Sequence, residues 1–253
     1  MRNIFSIAKN TFFESIRDRI LYGILAFSII FIFGTVLLGS LSLGEDLKII
    51  KDFGLAGIYI FSIITTIFLG TSMIYKEIEK KTIYILFSKP VTLSEIIIGK
   101  FFGLFAAVTL NTILMSIPYF IIIATKGGGF DYYSLVAILV QFQEISIFIS
   151  LSILFSTFST PLAGALYATL VLIIGHSLKT LALYAIKLGA VAKFFSALIY
   201  YLLPNLEKFN LRNLAAHNST LSLPEILLTT LYAIAYVSVV LLIASISLKK
   251  QEL

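Results

Sequence analysis

Six apolar runs, at residues 21–43, 54–74, 96–124, 135–158, 162–178 and 226–248, dominate this chain of 253 residues. A bilayer core of about 30 Å is crossed by about 20 helical residues at ~1.5 Å each, so every run can span, and the fifth can extend to residue 186. Hydrocarbon offers backbone amides no water, so a span of this kind must be a helix. The expectation is an all-α polytopic membrane protein with one membrane domain over residues 1–253. At 59% hydrophobic and 13% charged, the composition exceeds the roughly 45–50% apolar content of soluble domains. With no cysteine, a disulfide framework, a thiolate metal site and a cysteine nucleophile are all excluded.

The formal charge of +6 would suggest nucleic acid in a soluble protein, but here it gives orientation. With the amino end in the cytoplasm, Arg2, Lys9, Arg17, Arg19, Lys76, Lys80, Lys81, Lys89, Lys100, Lys249 and Lys250 lie inside, eleven of the nineteen basic residues. Five of the other eight surround one long outer connection, where the positive-inside bias counts for less. This predicts a plasma (inner) membrane protein with both termini cytoplasmic and no nucleic-acid partner. The first 20 residues carry charges throughout and show no cleavage pattern. Ile4, Phe5, Ala8, Phe12, Ile16 and Ile20 recur at helical spacing away from Arg2, Lys9, Glu14 and Arg17, which predicts an interfacial helix over 1–20, with a solvated tail as the alternative.

The connection at 187–225 contains an aromatic-rich apolar run at 191–203, too short to cross, which suggests a re-entrant or interfacial helix ending at Pro204. The triplet Asn218, Ser219, Thr220 fits a glycosylation pattern, but such matches are frequent by chance. Residues 126–130 (KGGGF) lack the Gly-Lys-Ser/Thr of a phosphate cradle and read as a turn. Pro118 predicts a kink in the third span. Gly99 with Gly103, and Gly34 with Gly39, can let helices approach closely.

Residues 75–100 (YKEIEKKTIYILFSKPVTLSEIIIGK) are the most informative segment. Ile78, Ile83, Leu86 and Phe87 oppose Glu77, Glu79, Lys80 and Lys81, as in a short helix lying along the membrane and stopped by Lys89 and Pro90. Thr92 and Glu95 then stand at capping-box spacing before the third span.

Glu77, Thr82, Leu86, Pro90, Gly99 and Lys100 reproduce an E-x-x-x-x-T, Leu, x-x-Pro, Gly-Lys pattern, and the segment resembles the ABC-2 type permeases, within them the branch related to NosY of multicopper-enzyme maturation. Residues 201–212 (YLLPNLEKFNLR) are also similar to the external motif of that branch. Leu93 stands where the branch usually has a basic residue. The resemblance covers the whole architecture and implies a type V exporter subunit, in which a coupling helix within 75–92 inserts into a nucleotide-binding subunit. Glu77, Glu79, Lys80, Lys81, Thr82, Tyr84, Leu86 and Pro90 would then face that ATPase, and two permease copies would assemble. The chain binds no cofactor itself on this reading. Its only Gly-Lys, Gly99-Lys100, has Phe101 after it and Ser94 in place of the first Walker A glycine, so ATP and magnesium belong to the partner.

Polar groups within the spans are few: Asn111, Gln141, Gln143, Glu144 and His176. Burying them costs several kcal/mol unless they are paired or wet. Gln141 and Glu144 share a helix face. Asn111, Gln141, Glu144 and His176 are the candidates for a translocation route; the plainer alternative has Glu144 near the outer interface or fixing packing, and His176 as a lone packed or interfacial histidine. With His217 in another element, no zinc site is expected. Two rival classes are the alternatives: an integral membrane enzyme acting on a lipid-like substrate would need acidic or histidine clusters at one interface, and the sequence has none; a passive scaffold or an ion-coupled secondary carrier is the other, and a carrier's inverted repeat is not visible.

Overall fold

The computed structural model describes residues 2–41, 44–79, 91–188, 190–212, 215 and 222–250, and all regular structure among them is helical. The helices are α1 (Arg2–Ile16), α2 (Arg19–Ser40), α3 (Asp46–Glu79), α4 (Leu93–Thr125), α5 (Tyr132–Phe158), α6 (Pro161–Leu188), α7 (Ala190–Leu202), a 3-10 turn (Leu206–Phe209) and α8 (Leu223–Lys250). Six of them, α2 to α6 and α8, are long and apolar enough to cross a membrane. In the apolar stretches of α3 and α5 67% of residues are buried, against 22% in α2 and α8. The bundle is therefore centred on the α3–α5 contact. Rows of exposed Phe27, Ile30, Phe33 and Leu37 on α2 and Leu227, Leu231, Ile234 and Leu242 on α8 face outward, as suits a hydrocarbon surround.

The 1–20 segment is two elements rather than one. α1 ends at Ile16, and Asp18 caps α2 by accepting a hydrogen bond from the Ile20 amide at 3.0 Å. α1 packs along α4, with Thr11 and Ser15 buried. Gly99 and Gly103 make the seat: a Cβ at Gly103 would stand 2.5 Å from the Ala8 carbonyl oxygen, and one at Gly99 2.8 Å from Ile7. α1 is thus a packed brace on the third span, and the glycine pair permits the approach.

α3 is longer than its apolar run at both ends, 34 residues or about 51 Å at ~1.5 Å rise. At its start Lys51, which the sequence places in an outer loop, is a buried helical residue with Nζ 3.0 Å from Asp131. The pairing lets the helix begin before the apolar residues do. At its other end nothing from Ile74 to Glu79 breaks a helix, so Glu77 and Glu79 form the last turn of α3 and not part of a separate loop helix. Lys80, Lys81, Thr82, Tyr84, Leu86 and Pro90 lie outside the described residues, together with the loop helix expected of them; so do His217 and the Asn218 triplet.

α4 opens on the expected capping box, with the Thr92 hydroxyl accepting from the Glu95 amide (3.3 Å) and the Glu95 carboxylate accepting from the Thr92 amide (2.9 Å). It continues through Pro118 to Thr125. Residues 126–130 form a turn in which Gly127 (φ 85°) and Gly129 (φ 60°) take left-handed conformations. The 191–203 run is helix α7, which packs back along α6. That hairpin returns the chain to the middle of α6, where Leu206 and Phe209 are buried.

Candidate functional site

Glu144 lies midway along α5, roughly 20 Å from either helix end, and is 1% exposed. Its Oε1 accepts a hydrogen bond from the Tyr59 hydroxyl of α3 at 2.6 Å and stands 3.0 Å from His176 Nε2 of α6. Tyr59 Oη is itself 2.7 Å from that nitrogen. The other ring nitrogen, Nδ1, is 3.2 Å from Glu207 Oε2 in the 3-10 turn. Asn210 Nδ2 donates to Glu207 Oε1 at 3.3 Å, Arg212 Nε donates to Asn210 Oδ1 at 3.0 Å, and the Arg212 guanidinium lies over the Tyr59 ring at 3.9 Å from its centroid. Four segments, α3, α5, α6 and residues 205–212, thus converge on one polar cluster in the middle of an apolar bundle. Isolated charges there would be expensive, so mutual pairing is what makes the cluster tolerable.

The seating of the 3-10 turn depends on Gly175, the residue before His176. A Cβ there would lie 2.5 Å from Leu206 Cδ1 and 2.9 Å from the Pro204 carbonyl oxygen. Gly175→Ala is therefore expected to lift the 204–209 segment and destabilise the fold by about 1–3 kcal/mol, the usual range for overpacking, measured as earlier unfolding of the purified protein in detergent. Unchanged unfolding would show that the segment is not seated as described.

Two cavities flank residues 205–212. One, of about 510 Å³, is bordered by Lys179, Glu207, Lys208, Asn210 and Glu225. The other, of about 240 Å³, is bordered by Asp52, Ala56, Asn210 and Arg212. Asn210 borders both, so the segment stands between them.

Of the sequence candidates, Glu144 and His176 meet directly, which corrects the reading of His176 as a lone packed histidine. Gln141 is buried one turn from Glu144, and its Nε2 has no hydrogen-bond partner among the described residues. Asn111 stands apart: its Nδ2 donates to Thr65 Oγ1 at 3.1 Å, about 9 Å along α3 from Tyr59. Tyr59, Glu207, Asn210 and Arg212 were missed. The last three fall in the 201–212 stretch singled out as a motif, and that stretch was the available signal. Among the described residues no group of three or more His, Asp or Glu could hold a metal ion.

At the Glu79 end of α3, Glu77 and Lys100 form an ion pair of 2.7 Å, with the lysine side chain 4% exposed. The first and last residues of the 77–100 pattern are thereby bonded across α3 and α4. Nearby, the Ser156 hydroxyl of α5 accepts from the amides of Ile74 and Tyr75 at 3.0 and 2.9 Å. Glu79 ends α3 beside this pair.

Six helices long and apolar enough to span, packed around a central polar cluster, define a multi-pass membrane protein. The profile described as ABC-2 family transporter protein matches residues 5–253, and the chain belongs to that family, as a permease subunit of an ABC transporter. No individual curated protein matches it.

Proposed function

We propose that this chain is the membrane half of an ATP-driven exporter of the branch related to NosY, working as two copies with a separate ATPase that holds ATP and magnesium. The observation that best supports this reading is the cluster of Tyr59, Glu144, His176 and Glu207, a set of polar groups held at mid-height in a bundle otherwise built from apolar residues. Ionisable groups at such a depth mark pathways in membrane proteins. Glu144 and His176, with Gln141, line the route, and residues 205–212 close its outer end. Both termini and the 75–92 loop face the cytoplasm, by the excess of Lys and Arg on that side. Glu77, Glu79, Lys80, Lys81, Thr82, Tyr84, Leu86 and Pro90 meet the ATPase there, and the Glu77–Lys100 pair ties that contact to α3 and α4, so that closure of the ATPase moves the two spans together. The partners are thus the ATPase, a second permease copy and lipid.

Two measurements test the reading. The chain, purified in mild detergent, is expected to bring an ATPase subunit with it; purification alone would favour an enzyme or a secondary carrier. Glu144→Gln keeps an acceptor for Tyr59 but removes the charge, and is expected to lower export at least tenfold, about 1.4 kcal/mol in barrier, with unchanged amounts of assembled complex. Export at the normal rate would remove Glu144 from the pathway.

A further inference from the structure

Tyr59 has one hydroxyl hydrogen and gives it to Glu144 Oε1 at 2.6 Å. Its oxygen can then only accept from His176 Nε2, 2.7 Å away. Glu144 Oε1, 3.0 Å from the same nitrogen, also accepts. Nε2 must therefore carry a hydrogen. Nδ1 faces Glu207 Oε2 at 3.2 Å, and an ionised carboxylate is an acceptor only, whereas a neutral imidazole has a single N–H. Either the ring is protonated on both nitrogens or the Glu207 carboxyl holds the hydrogen. In both cases the assembled cluster contains one proton more than two carboxylates and a neutral histidine.

The charges agree with this count. Glu144 from α5 and Glu207 from the 3-10 turn are balanced by His176 from α6 and by Arg212, whose guanidinium covers the Tyr59 ring from α3. Among the described residues, the other charged groups bordering the two cavities are Asp52 of α3, in the smaller one with Arg212, and Lys179 of α6, Lys208 and Glu225 of α8, in the larger one. These four are two of each sign and leave the balance unchanged. Among the described residues, the hydrogen bond between Nδ1 and Glu207 is what joins the histidine to the segment between the cavities.

We propose that Tyr59, Glu144, His176 and Glu207 form a proton-binding site that latches residues 205–212 onto the bundle. The proton is taken from solution when the segment seats and is returned when it lifts. Because the seated state binds one proton more, seating is favoured as pH falls and lost as pH rises, with a limiting slope of about tenfold per pH unit for one linked proton. The latch stands whether or not the chain is an exporter, since it is read without nucleotide.

The chain has no cysteine, so an introduced one is the permease's single thiol, and labelling is read on the permease band alone. Asn205 is 4% exposed and sits at the head of the segment, and its side-chain amide has no hydrogen-bond partner among the described residues. The permease, purified in detergent with whatever subunit accompanies it and without nucleotide, carries Asn205→Cys and is labelled with a maleimide between pH 6 and pH 8. Dividing by the rate of Lys126→Cys, in the exposed turn, removes the thiolate's own pH dependence. The ratio is expected to rise at least about fivefold across this range, within the limit for one proton. Glu207→Gln, whose amide can donate to or accept from Nδ1, needs no extra proton and should flatten the profile; His176→Asn should do the same. Glu207 is partly exposed, with 37% side-chain exposure, so its variant decides the matter even where His176→Asn fails to fold. A flat ratio in the parent, or the parental slope in Glu207→Gln, overturns the latch.

Discussion

Lys100→Met is expected to destabilise the protein by about 3 kcal/mol and to lower the amount of ATPase that copurifies with it. The lysine is buried in α4, 2.7 Å from Glu77, and methionine keeps the length of the side chain while removing the charge. Removing one member of a buried ion pair typically costs about 3–5 kcal/mol, because the remaining charge stays where water cannot solvate it well. Adding Glu77→Gln should restore much of the loss, since a neutral pair has no stranded charge. Reversible unfolding in mixed micelles measures the energy for the two single variants and the double. Additive losses would mean that the pair contributes no coupling. Recovered stability without recovered ATPase binding would place Glu77 itself at the contact with the ATPase.

Glu144→Ala should cost a similar amount, about 3 kcal/mol, for a different reason. Glu144 Oε1 is the common acceptor of Tyr59 and His176, so alanine leaves a hydroxyl and a ring nitrogen with no carboxylate and opens a void at the centre of the bundle. Glu144→Gln retains the acceptor and should cost less than half as much. The pair of variants therefore separates the structural contribution of Glu144 from its charge: unfolding measurements should distinguish alanine from glutamine, while export should be impaired by both. Equal stability losses would mean that the negative charge, and not the hydrogen bonds, holds the cluster together.

The number and approximate position of the spans were legible because hydrocarbon imposes a length and a composition that a single run of residues either has or lacks. Thr92 and Glu95 were legible for a similar reason, since a capping box is complete within four residues. The bounds of α3 were not. Lys51 looked like loop because its partner, Asp131, belongs to another helix, and Glu77 looked like part of a loop helix because its partner is Lys100.

The polar cluster shows the same division more sharply. Glu144 and His176 were conspicuous as polar residues in apolar runs, but nothing local distinguishes a histidine that only packs from one held between two carboxylates. Glu207 and Arg212 lie in a stretch of mixed polarity where charged residues are ordinary. They reach the centre of the bundle only because α7 folds back along α6 and Gly175 leaves room for Leu206.

By itself, then, the amino-acid order determined that the chain is a bundle of six spanning helices and the family to which it belongs, since apolar run length and a contiguous motif are properties of neighbouring residues. Only the tertiary structure decided which charges are partners and what His176 faces. Those contacts join residues 85 and 117 positions apart, as Tyr59 does to Glu144 and to His176, and in a bilayer it is the meeting of such groups that makes their burial affordable.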